Sequence, residues 1–290
     1  MPASIFVQIP AYRDPELAST LLDLYRMAEW PDRLRVCVAW QHAAGESLPG
    51  FVQDLPGLEI VDIPHDESHG CNWARSGLQR RWHGEPYTLL LDSHHRFVPG
   101  WDTAVLSMYG ELKRSGVEKP ILTAYLPPYD PSRDPEARRP HPYKIYPLSR
   151  EDGLLTRLTS YPIPLWEELP GPIEADFASL HFLLAAGSFN EEILFDPKLY
   201  FFGDEVVLSL RAFTSGYDLF HPHRVLGWHC YERTTRTAHW QDHPGWSEQH
   251  RESLVKMRRL FTGTYAGEHG LGHQRSISEY ECRVMAQLAE

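Results

Sequence analysis

Leu89-Leu90-Leu91-Asp92-Ser93-His94-His95-Arg96-Phe97 is an apolar strand that runs straight into an Asp-x-His pair. In an open α/β sheet, ligands sit beyond the carboxyl ends of the strands, and Asp92 and His94 fall at such an end. Alternate residues of an extended segment share a side, so the carboxylate and the imidazole can converge on one point. The pair is half of a metal site, or else a charged turn after a buried strand. His95 takes the opposite side from His94 and stands outside the pair.

Around this strand the N-terminal half alternates strand and helix. Residues 5–9 (Ile-Phe-Val-Gln-Ile) read as a buried strand, and Asp14-Pro15-Glu16 opens a helix with Asp14 as N-cap and Pro15 at its first position. Leu17, Leu21, Leu24 and Ala28 form the core face of that helix. Residues 34–40 and 58–63 are further strands, and 71–82 a helix whose polar face carries Arg75, Gln79 and Arg80. After the strand at 87–91, Asp102 caps a helix to Arg114, and 121–126 make a fifth strand. Such βα alternation predicts an α/β fold with a mostly parallel central sheet. No internal repeat of fixed period is present.

The second half is less regular. The run from Pro127 to Pro142 is rich in Pro, Arg and Asp and reads as a surface excursion. A strand resumes at 180–186. Asp204 and Glu205 then stand at the start of a helix over 206–215, where a helix N-terminus stabilises negative charge and where both could be simple caps. Residues 217–228 look extended and deliver His229 to their end. An amphipathic helix over 247–261 and a short helix over 280–288 close the chain.

Composition limits the function classes. The 290 residues, 42% hydrophobic and 12% aromatic, suffice for a full core. A net charge of −11 disfavours nucleic acid or an anionic membrane as the main partner. No stretch approaches the roughly 20 apolar residues of a membrane span, and Met1-Pro2-Ala3-Ser4 leads into a strand rather than a leader, so a cytoplasmic protein is expected. Cys37, Cys71, Cys230 and Cys282 are widely spaced, which suits reduced thiols better than a disulfide framework.

Gly70-Cys71-Asn72-Trp73-Ala74-Arg75, Gln79, Gly84-Glu85-Pro86-Tyr87 and the Leu91-to-Phe97 run together resemble the polypeptide α-N-acetylglucosaminyltransferase family, relatives of the cytoplasmic enzyme that modifies a hydroxyproline. The likeness extends to Ile9-Pro10-Ala11-Tyr12-Arg13-Asp14, to Phe202-Gly203-Asp204-Glu205 with Arg211 and Gly216-Tyr217-Asp218, to His229 and Tyr231, and to Gly270-Leu271-Gly272, Arg275-Ser276 and Tyr280-Glu281. The Asp-Ser-His triplet also occurs in mucin-type N-acetylgalactosaminyltransferases, so it does not name the sugar by itself.

The resemblance implies a GT-A, Rossmann-like nucleotide-sugar fold over 1–262, with a tail over 263–290 packed on it. It implies a UDP-sugar donor, N-acetylglucosamine first among the sugars, and a hydroxyl acceptor on a protein, peptide or small molecule. A divalent cation would bridge protein and diphosphate, and its family ligands match Asp92, His94 and His229; an oxygen and nitrogen set admits manganese among others. Pro10, Ala11, Tyr12, Arg13, Arg75, Asp92 and Ser93 match donor-binding positions, with Tyr12 placed to stack and Arg13 to reach phosphate. Asp204 and Glu205 are the expected catalytic carboxylates, holding sugar or acceptor hydroxyls. The family retains anomeric configuration, whereas an inverting enzyme would use one of these carboxylates as general base. Two rivals are a catalytically silent sugar-nucleotide or glycan binder and an iron oxygenase with the His and Asp order reversed; the second needs an antiparallel double sheet that the βα alternation disfavours.

Overall fold

Four parallel strands form one half of the central sheet: β1 (Ile5–Tyr12), β2 (Leu34–His42), β3 (Leu58–Pro64) and β4 (Tyr87–Leu91), in the order β3-β2-β1-β4. The structure, a computed structural model, describes residues 4–290. Met1, Pro2 and Ala3, on which the expectation about a leader rests, lie outside the described residues. β1, β2 and β4 form because their apolar runs are buried on both faces, as a sheet sandwiched between helices requires, whereas β3 at the sheet edge is only partly buried. Ile5, Val7, Ile9, Leu89 and Leu91 join one core cluster with Leu17, Leu21 and Leu24 of α1 (Leu17–Met27), and Phe6 and Cys37 meet Ala74 and Leu78 of α2 (Cys71–Gln79) in another. Burying each such leucine contributes about 1.5–3 kcal/mol.

The other half holds an unexpected reversal. After β5 (His95–Phe97), α3 (Trp101–Arg114) and β6 (Pro120–Thr123), the chain forms a long hairpin, β7 (Tyr143–Glu151) with β8 (Leu154–Pro162), and the short β9 (Ile173–Glu174). β10 (Phe182–Ala186) then enters the sheet antiparallel between β4 and β6, pairing Phe182 with Leu91. This puts the start of β10 beside the functional end of β4. The short α4 (Phe189–Glu192) and α5 (Asp204–Thr214) lead to β11 (Asp218–His221), which lies parallel to β6 and antiparallel to β9 and completes an eight-stranded sheet. β12 (Gly227–His229) pairs with β5 and brings His229 opposite His95. α6 (His239–Asp242), α7 (Trp246–Phe261) and α8 (Ile277–Val284) follow.

Several local expectations are corrected. Asp14 is not the N-cap of α1: Glu16 occupies that place, and Asp14 turns one oxygen to the Glu16 N–H and the other toward Ser93 and His94. Asp102 lies inside α3, and its carboxylate accepts the Glu29 and Trp30 N–H groups just beyond α1. α2 stops at Gln79, and its expected solvent face is partly inward, with Arg75 and Gln79 both buried. β6 ends at Thr123, and the extended run before His229 is broken into β11 and β12. The first residues of the proline-rich excursion are structural: Pro127 O accepts from His229 N, Tyr129 N donates to His229 O, and Tyr129 is buried.

The C-terminal segment packs on the second core, where Tyr280, Val284 and Leu288 join Val206, Leu210 and Met257. Ser276 and Glu279 cap α8 reciprocally, which satisfies two orphan amide donors. Among the described residues no helix is long and apolar enough to cross a membrane. The four cysteines are free thiols.

Candidate functional site

The carboxyl ends of β1 and β4 open into a cleft with roughly 200 Å³ of interior space. Pro10, Asp92, Ser93 and His94 line its floor, Cys71 and Arg75 one wall, and Tyr200, Phe201, His229 and Tyr231 another. Arg233, Arg236, His239 and Trp240, from the segment after β12, line it as well.

Asp92 is the centre of charge. Arg75 Nη2 donates to its Oδ1 at 3.0 Å, and its Oδ2 lies 3.8 Å from His94 Nε2 and 3.5 Å from His229 Nε2. Burial opposes its ionisation, but the Arg75 guanidinium and the surrounding histidines outweigh that and hold the carboxyl below the usual range. Asp14 behaves likewise. Burial resists its charge, yet the His94 ring at 2.6 Å and the Ser93 hydroxyl at 2.6 Å keep it ionised.

His94 and His229 differ in how they are held. Asp14 pins Nδ1 of His94, which turns Nε2 toward Asp92. Neither ring nitrogen of the buried His229 has a hydrogen-bond partner among the described residues, and burial pushes its pKa well down, so the ring is neutral. Two ligands each ~2.1 Å from one ion stand roughly 3–4 Å apart, and the 3.5 and 3.8 Å separations fall in that range. The triple whose ligand atoms all lie within 4.8 Å of one another is a different one, Asp92, His181 and His229, with His181 in the place expected for His94. His181, at the threshold of β10, escaped the sequence reading. Its only signal was a histidine directly before a wholly apolar strand, which gains meaning once β10 is known to run antiparallel to β4.

Asp204 and Glu205 sit in the first turn of α5 but do not line the cleft. Gly203 makes this turn possible: its φ is +88°, and a Cβ there would come 2.1 Å from Met257 Cε. Asp204 accepts from Asn72 Nδ2 at 3.0 Å, and Arg75 Nη1 is 4.0 Å away. Glu205 accepts the Leu180 N–H at 2.9 Å and the Tyr125 hydroxyl. Burial pushes Asp204 up to about 6, and burial with the Asp204 charge pushes Glu205 up to about 7.

The expected nucleotide contacts are distributed unevenly. Pro10 and Tyr12 line the cleft, whereas the Ala11 side chain is in the core and its carbonyl accepts from Gln41 Nε2. Arg13 lies outside the lining residues, paired with Asp242 at 2.9 Å and Glu46 at 3.3 Å. Tyr12 donates to the same Asp242 at 2.7 Å, and its ring meets His239 at 5.0 Å. Arg236, also unforeseen, contacts both ring nitrogens of His94.

Known proteins are similar to this one in fold or in family. No curated protein matches the sequence. The structure is similar to a crystal structure of GalNAc-T7 with UDP, GalNAc and Mn2+, with a TM-score of 0.60 at 12% identity, covering 98% of this chain and 55% of that one. It is also similar to S. aureus TarS 1–349 in complex with UDP-GlcNAc, with a TM-score of 0.54 at 9% identity, covering 98% of this chain and 71% of that one. This chain thus spans about half the length of the GalNAc-T7 chain, and at such identities the likeness establishes the GT-A fold. The family described as Glycosyltransferase (GlcNAc) matches residues 4–57 and 52–288. The chain therefore belongs to the GlcNAc glycosyltransferase family.

Proposed function

We propose that the protein is a cation-dependent transferase that moves N-acetylglucosamine from a uridine diphosphate donor to a hydroxyl of a protein, peptide or small molecule. Within its family it would group with the polypeptide α-N-acetylglucosaminyltransferases, on the motifs quoted above. The observation that carries the reading is Asp92 at the end of β4, ionised, with an Asp14-oriented His94 and a His229 otherwise unpartnered among the described residues, both near one oxygen. Asp92, His94 and His229 would hold the ion, with Mn2+ the first choice on the precedent of the GalNAc-T7 crystal. When bound, a divalent cation neutralises the charge that develops on a diphosphate leaving group.

The remaining chemistry belongs to the chain. Tyr12 and Pro10 would bound the nucleoside, with Tyr12 held by Asp242; Ser93 and Arg75 would fix the β4 end of the donor site. Arg236 must leave the His94 nitrogens for an ion to take the Nε2 lone pair, and a diphosphate gives its guanidinium an alternative partner. Asp204 and Glu205 are engaged by Asn72, Leu180 and Tyr125 behind the cleft wall, which favours a positioning role and transfer with retention over an inverting reaction with either as base. The unpaired thiols suit a reducing compartment, and the reading places the enzyme in the cytoplasm.

The test is thermal shift with Mn2+ and a panel of sugar nucleotides. UDP-N-acetylglucosamine at about 100 times its Kd should stabilise the protein by ~2.7 kcal/mol. UDP-glucose, UDP-galactose and UDP-N-acetylgalactosamine should bind less well. A chelator should remove the effect, and His94→Ala and His229→Ala should lose it while remaining folded. A guanosine or thymidine sugar that outcompetes every uridine donor would overturn the donor assignment.

A further inference from the structure

Hydrogen bonding sorts the histidines around Asp92 more sharply than distance does. His94 gives its Nδ1 proton to Asp14, so its lone pair sits on Nε2, where the Arg236 side chain touches it but, unlike a backbone amide, can swing away. Among the described residues His229 has no hydrogen-bond partner at either nitrogen, so a lone pair is available there too. His181 is different. Its Nε2 accepts the Leu126 backbone N–H at 3.0 Å, and an amide N–H can only donate. The proton of a neutral His181 ring therefore sits on Nδ1, and neither nitrogen keeps a free lone pair for an ion.

The ring nevertheless has a clear relation to the site. His181 lies nearly parallel to His229, with centroids 4.1 Å apart and planes at 16°. The other rings around His229 are steeply inclined to it: His94 at 57°, His95 at 58° and Tyr231 at 68°. A metal-binding histidine ordinarily has its ring fixed by a hydrogen bond from its second nitrogen. Asp14 does this for His94, and none of the described residues does it for His229.

We propose that His181 is a positioning residue of the cation centre and not a ligand: anchored by the Leu126 amide, it stacks on His229 and fixes its ring plane, as Asp14 fixes His94 by hydrogen bonding. The inference rests on the cation reading above. It assigns the close Asp92, His181 and His229 group two ligands and one support.

Mn2+ alone, added to the purified full chain, tests it by spin resonance, which reads affinity and, through nitrogen modulation of the spin echo, the number of coordinated imidazoles. The wild type should show two. His181→Gln keeps an acceptor for Leu126 but loses the stack, and should bind Mn2+ about 10–100-fold more weakly with the count still two. His181→Phe keeps a stacking ring and should stay within a few-fold of wild-type affinity, at lower melting temperature because the Leu126 amide loses its acceptor. A count one lower in the His181 variants than in the wild type, whether three falling to two or two falling to one, would make His181 a ligand and overturn the proposal; a wild-type count of three, or His94→Ala keeping the wild-type count, would do the same even if the His181 variants fail to fold. Unchanged affinity in His181→Gln would remove the positioning role. Absence of any Mn2+ binding by the wild type would instead sink the cation reading, and the inference with it.

Discussion

Asp92 and the Asp204–Glu205 pair are half-buried carboxylates beside one arginine, yet their charge states are driven in opposite directions. Arg75 reaches Asp92 at 3.0 Å and Asp204 only at 4.0 Å, and it also donates to Leu180 O, whose own N–H goes to Glu205. Asp92 is held below the usual carboxylate range, while Asp204 and Glu205 rise to about 6 and about 7. A direct guanidinium contact within a ring of imidazoles is enough to offset burial; a second carboxylate next door is not. The cleft thus keeps its negative charge where an ion could meet it.

Removing the shared arginine should have the largest effect. Arg75→Met leaves Asp92 and Asp204 without a guanidinium and should cost about 3–5 kcal/mol at pH 8, read by urea denaturation. A loss under ~1 kcal/mol would mean that the two regions do not depend on Arg75. Next in size, Glu205→Gln or Asp204→Asn should lower turnover by about 10²-fold, roughly 3 kcal/mol of transition-state stabilisation, without lowering the melting temperature. Full activity in both would reduce the pair to structural hydrogen bonding at the start of α5. The product should keep the α configuration, and a β-linked product by NMR would instead make one of the two a general base.

The smallest effect separates the regions by pH. Asp204 and Glu205 bind protons more tightly folded than unfolded, so stability is greatest below their unfolded values and falls as pH rises toward about 7. Asp92 and Asp14, with lowered values, act oppositely and lose their contribution only as pH falls through the acid range. Urea titrations from pH 5 to 8 should show declining stability that Glu205→Gln flattens. A slope identical in wild type and variant would show that Glu205 ionises freely.

Legibility followed the range of the interactions. β1 and β4 could be read because five consecutive strand positions are nearly all apolar, and α1 because its buried residues recur at helical spacing. The direction of β10 could not. A strand buried on both faces has the same composition whichever way it runs, so the expectation of a mostly parallel sheet passed over the reversal between β4 and β6. In the β7–β8 hairpin the buried residues are Ile145 and the consecutive Leu154, Leu155 and Thr156, so no core alternation betrays it. Arg75 and Gln79 occupy what looks like a solvent face because their partners, Asp92, Ile193 and Phe195, lie elsewhere in the chain. Asp92 and His94 were visible through local spacing, but Asp14's orientation of His94 and the stacking of His181 on His229 are long-range facts with no periodic trace.

The way His229 is clamped by Pro127 and Tyr129 also bears on when the cleft can exist during synthesis. His94 meets Asp14 across 80 positions of chain and Arg236 across 142. A nascent chain that has emerged only as far as the β7–β8 hairpin holds Asp92 and His94 but lacks His229, and so has half a donor set. On the cation reading, tight binding of the ion arrives with the closing of these distant contacts, which makes it a timer of completed folding rather than a nucleus for it.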